Sequence, residues 1–165
     1  MRVYLPGTIG LLERLRQEGT VPASTGYAVT EALRAWYLEG DEEELEYAAM
    51  TAAARASLRL LALEPELAEA RTLRVVLAAD VADSRVVASG AEPEDPGVIE
   101  LTGSVALADI ASLHVDEAGA RAAVRAALAA LPAAGEGDPD AGLAVDAVED
   151  FDLLWYASQE LRDLV

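Results

Sequence analysis

Residues 73–81, LRVVLAADV, form a nearly continuous apolar run rich in branched side chains and only nine residues long. A run of that length and content is what a strand buried on both faces requires, since neither face can alternate to polar. The fold is therefore read outward from a central strand, with Pro65 closing the segment before it and Asp80 and Asp83 at its far end. Those two carboxylates stand where open sheets often carry functional groups, and equally where ordinary turns place acids.

Upstream of residue 73 the strongest signal is a helix start. Asp41 precedes Glu44 by three residues, and acids fill the first turn, as a capping box and the positive end of the helix dipole both favour. Leu45, Ala49, Ala52, Ala56, Leu60 and Leu63 mark one apolar face, and Tyr47, Met50, Ala54, Leu58 and Leu61 mark another. A long central helix covered around most of its circumference is expected. Before it, residues 2–5 read as a strand ended by Pro6 and Gly7, and Leu11, Leu12 and Leu15 give a helical stripe up to Gly19. The stretch 19–26 is turn-rich, 27–29 is short and apolar, and Thr30 is an N-cap for a helix over 31–38.

Downstream, 90–97 reads as an exposed loop, and 98–105 alternates with Ile99, Leu101 and Val105 on the apolar side. Residues 111–115 alternate as well, which sets Ser112, His114 and Asp116 on one face and Leu113 and Val115 on the other. Asp116 is assigned as cap of a helix carrying Ala120, Val124, Ala127, Leu128 and Leu131. The segment AAGEGDPDAG reads as a connection, 143–145 as a short apolar stretch, and about 150–164 as a last helix burying Leu154, Ala157 and Leu161.

These elements predict an α+β fold over residues 1–165 as one domain, a small mixed sheet packed with helices. The order of elements in 1–64 also echoes that in 111–165, with 73–105 as a joining strand pair. Under such a duplication Tyr47 corresponds to Tyr156 and Thr30 to Asp146, and a cleft lies where the halves meet.

Composition removes several functions. Cysteine is absent, so there is no disulfide framework, thiolate metal site or cysteine nucleophile. The opening MRVYLPGTIG interrupts its apolar residues with proline and glycine, unlike an export signal. No apolar stretch approaches the roughly 20 residues that span a bilayer. A cytoplasmic location is expected. The formal charge is −18, from 30 acidic residues against 12 basic ones, all arginine, and such a surplus repels nucleic acid and anionic membranes.

Each candidate for chemistry has a structural explanation beside it. His114, the single histidine, neighbours Asp116 at i+2, as in an acid/base couple whose carboxylate orients the ring; a histidine bonded beside a helix cap explains it equally. Glu43, Glu44 and Glu46 supply hard oxygen ligands but lack the calcium-loop spacing, and a solvated helix start accounts for them. Trp36 with Tyr37 and Trp155 with Tyr156 read as paired aromatics on two helices, suited to a binding interface or to a core. LPGTIG lacks both phosphate-loop spacings, so no cofactor is expected.

Taken together, Tyr27 to Thr30 (YAVT), Glu39 to Ala49 (EGDEEELEYAA), His114 to Asp116 (HVD) and Leu153 to Leu161 (LLWYASQEL) resemble an uncharacterised family of small actinobacterial proteins of unknown function. The likeness spans nearly the whole chain and implies no activity, cofactor or catalytic residue.

The expected function is thus a non-catalytic binding or regulatory domain acting through protein contact, as a partner's receptor or a homodimer, at Trp155 and Tyr156. One alternative is a small hydrolase or metal-dependent enzyme using His114, Asp116 and the glutamates. Another is an acidic mimic of DNA.

Overall fold

The computed structural model describes residues 1–22, 25–37, 39–88 and 95–165. Expectations that fall on 23–24, Leu38 and most of the 90–97 loop lie outside these. In chain order the elements are β1 (Arg2–Gly7), α1 (Ile9–Glu18), β2 (Thr20–Pro22), β3 (Thr25–Tyr27), α2 (Glu31–Trp36) and α3 (Glu42–Leu63). There follow β4 (Val75–Asp80), β5 (Val86–Ala88), β6 (Val98–Leu101), β7 (Ser104–Ala106), β8 (Ile110–Asp116), α4 (Arg121–Gly135), α5 (Pro139–Asp146), β9 (Leu153–Ala157) and α6 (Leu161–Leu164).

The LRVVLAADV run does hold a central strand: β4 sits between β1 and β8, and its first five residues are buried. The α+β reading holds, but the sheet is neither small nor mixed. Seven strands run in the order β5-β6-β3-β1-β4-β8-β9, and every pairing is antiparallel. A second sheet of two strands joins β2 to β7, after Gly103, in left-handed backbone with φ of 85°, breaks the expected 98–105 run.

Strand alternation sorts the sheet's two faces. Val3, Leu5, Val75, Leu77 and Leu113 turn towards α1 and α6, where Leu12, Leu15 and Leu161 close the core. Tyr4, Tyr27, Val76 and Ala78 turn the opposite way, onto Leu45, Ala49, Ala53 and Ala54 of α3. The capping box at Asp41 and Glu44 forms as the spacing predicts, and Thr30 caps α2 through its hydroxyl. The far half of α3 then packs Leu58 and Leu61 against Val124 and Ala127 of α4. Both apolar faces read for α3 are partly open to solvent: Leu60 and Leu63 on the first and Tyr47 on the second are exposed.

The carboxyl-terminal third departs most from expectation. Asp138 accepts from the N–H groups of Asp140 and Ala141, with Pro139 in the first helical turn, so the supposed connection contains the start of α5. Residues 153–157 are strand, not helix, and Leu154 is exposed. The spacing of Leu154, Ala157 and Leu161 satisfied a helical period, but the open edge of β8 offers the LLWYA segment a complete ladder. Nor does the element-by-element echo of 1–64 in 111–165 hold: Thr30 starts a helix while Asp146 ends one, and Tyr47 is helical while Tyr156 is in a strand. The two strands expected in 73–105, β4 and β6, do not pair with each other either: β4 bonds β1 and β8, while β6 bonds β3 and the additional strand β5.

Candidate functional site

β8 places Ser112, His114 and Asp116 on the α3 side of the sheet, as the alternation requires, yet the three do not converge. Asp116 is buried and belongs to Arg74. Its carboxylate accepts from Arg74 Nε at 3.0 Å, from Nη2 at 2.7 Å and from the Arg74 backbone N–H at 2.8 Å. Arg74 Nη2 also donates to the carbonyls of Val148 and Phe151, so the pair clasps the segment leading into β9. Asp116 is therefore not a helix cap: the residue preceding α4 is Ala120, which offers no side-chain bond.

His114 instead meets Ser112, with Nε2 at 3.0 Å from the hydroxyl oxygen. Burial holds the imidazole below its ordinary value of 6.5, and the charge of Arg2 adds to that. Arg2 is itself bound to Asp80 through two hydrogen bonds. Beside it, the Tyr4 phenol is pushed up to about 12 by desolvation and by the facing Glu46.

The lowered value has a consequence for stability. The unfolded chain takes up the histidine proton first, so the contribution of the neutral ring is complete above the unfolded value and is lost as pH falls through it towards the folded one. Between pH 7 and about pH 5, the wild-type melting temperature is expected to fall more steeply than that of a His114→Gln variant. Parallel slopes in a paired thermal titration would remove His114 as the cause.

The three glutamates scatter in the same manner. Glu44 is committed to the capping box, Glu43 lines an open groove, and Glu46 faces Tyr4. Among the described residues no group of three histidine, aspartate or glutamate side chains is placed to hold a metal ion.

What the fold does bring together is aromatic. Trp36 and Tyr37 at the end of α2 and Tyr47 on α3 line a groove of about 1120 Å³, with Glu39 and Glu43 at its rim. A second groove of about 460 Å³ lies between α3 and β9, lined by Tyr47, Met50, Thr51, Phe151, Leu153 and Trp155. Tyr47 and Thr51 line both, so the two grooves adjoin along α3. Trp36, Tyr47 and Trp155 are 64%, 65% and 63% exposed. Trp155 reaches this face because β9 is a strand: it stands opposite His114, while Tyr156 alternates to the other face and packs on the α1 side. Sequence reasoning paired Trp155 with Tyr156 and missed Tyr47, whose helical position beside apolar neighbours carries no mark of exposure.

Of this aromatic face, Tyr47 and Trp155 lie in the segments that carry the family resemblance, and the family match spans the whole chain: DUF6912, a family of unknown function, matches residues 1–165. The chain belongs to that family. No curated protein and no solved structure matches it. Among the described residues of this family member, no helix is long and apolar enough to cross a membrane.

Proposed function

We propose that this chain is a non-catalytic, cytoplasmic binding domain that receives a partner protein on the aromatic face running from α2 across α3 to β9. The observation that carries this reading is the exposure of both tryptophans and Tyr47 along two adjoining grooves. Large aromatic side chains bury much area at small entropic cost when a partner covers them, and a contiguous exposed apolar patch is uncommon without such use.

A hydrolytic reading keeps one observation, the Ser112–His114 contact. Ser112 is 5% exposed, and Asp116, the carboxylate expected to orient the ring, is engaged by Arg74. Binding accounts for more of the surface.

Because the only two tryptophans lie in the site, the protein reports on it without a label. A random peptide library selected on the immobilised chain is expected to yield ligands that shift tryptophan emission to the blue. These should weaken by at least about tenfold, roughly 1.4 kcal/mol, on a Tyr47→Ala/Trp155→Ala variant that keeps its melting temperature. Ligands that bind the variant as well as the parent would place recognition elsewhere and end this reading.

A further inference from the structure

The outer edge of β9 is open in a way that selects a kind of partner. Antiparallel pairing with β8 sets Leu113 opposite Tyr156 and Val115 opposite Leu154, and the Asp152 carbonyl accepts from the Glu117 N–H. The Ala157 N–H turns the other way, to the Glu160 carboxylate at 2.7 Å. Backbone groups of a strand alternate in direction, so Asp152, Leu154 and Tyr156 face β8 while Leu153, Trp155 and Ala157 face outward. Glu160 closes the ladder at Ala157. The N–H and C=O groups of Leu153 and Trp155 remain without a partner among the described residues.

Natural edge strands are normally guarded by a charge, a proline or a bulge. LLWYA contains no charged residue or proline, and its register with β8 is unbroken. The charge around it argues against a second copy of this chain. Each copy carries −18, and Asp152 and Glu160 bracket the strand, so self-pairing would set like charges together at a short interface. A cationic segment meets the opposite situation: attraction on approach, and the exposed Trp155 ring as a surface on which a guanidinium or ammonium can stack.

Resting on the binding reading above, we infer that the partner contributes an extended basic segment that adds to β9 as an eighth strand, bonding the Leu153 and Trp155 backbone and laying its cationic side chains over Trp155. Strand addition draws affinity from main-chain bonds and specificity from alternate side chains.

The test uses a short peptide alternating arginine and valine, with two derivatives N-methylated at every arginine or at every valine. The full chain carries Trp36→Phe, so that Trp155 alone emits. The parent peptide is expected to change that emission with an affinity that falls as salt rises. One methylated form should bind at least about tenfold more weakly and the other within about twofold, because only one set of amides faces the strand. Equal binding by both methylated forms, equal binding by a glutamate–valine peptide, or a dimer that Trp155→Lys disperses would each overturn the inference. No response to the parent peptide, while library ligands still read through Tyr47 and Trp155, refutes strand addition alone. Failure of the library ligands as well refutes the binding reading beneath it.

Discussion

Asp116→Ala is expected to destabilise the protein by about 3–5 kcal/mol, lowering its melting temperature by on the order of 10 °C for a chain of this size. Arg74 is 2% exposed and Asp116 3% exposed. The guanidinium makes two of its hydrogen bonds to that carboxylate, and the Arg74 backbone N–H makes a third bond to it. Removing the acid leaves a buried cation without its counter-charge, which costs far more than the intact pair contributes. Removing both charges, as Arg74→Met with Asp116→Leu, should recover much of the loss because no unpaired ion remains. A single variant that melts with the wild type would mean that water or another carboxylate reaches Arg74. The same clasp holds the carbonyls of Val148 and Phe151, so the single variant should also loosen β9, seen as faster amide exchange at Leu154 and Tyr156 than at Val3.

Ser57→Ala is the second large effect, about 1–3 kcal/mol. Ser57 is fully buried in the middle of α3. Its hydroxyl donates to the Gly7 carbonyl at 2.7 Å and accepts from the Val75 N–H at 2.9 Å. Gly7 and Val75 stand opposite each other at the end of the β1–β4 ladder, so one oxygen joins the helix to both strands. Alanine would leave a buried donor and a buried acceptor unpaired. The expected result is a lower urea midpoint with an unchanged slope; an unmoved midpoint would show that the two strand groups find each other without the serine.

The parts of the fold that could be read in advance are those where one local pattern has one outcome. Thr30 and Asp41 cap helices because a short side-chain oxygen before an apolar-periodic segment meets free N–H groups. Ile99 and Leu101 point inward, and Glu100 outward, because a strand allows nothing else. Asp138 before Pro139 was an equally good start signal, obscured by the glycines around it. The candidate site was less legible. Trp36, Tyr37 and Trp155 read as suited to an interface or to a core, and all three are exposed and line the grooves. Tyr47 reads only as part of an apolar helix face, and Tyr156 turns away from the grooves.

Residues 153–157 mark where local pattern stopped being sufficient. Leu154, Ala157 and Leu161 fit a helix, whereas LLWYA also fits a strand, and short apolar segments satisfy both periods. The choice was made by β8, whose unpaired backbone was satisfied only by a neighbour in register. Asp116 illustrates the same division: its place beside His114 on one strand face follows from the two-residue repeat, but its partner Arg74 lies 42 positions earlier. Composition, caps and alternation thus followed from the chain itself, because each depends on atoms a few residues apart. Which acid is buried, which aromatic ring meets solvent and which strand is left at the edge depended on groups distant in sequence, and only their packing together decided it.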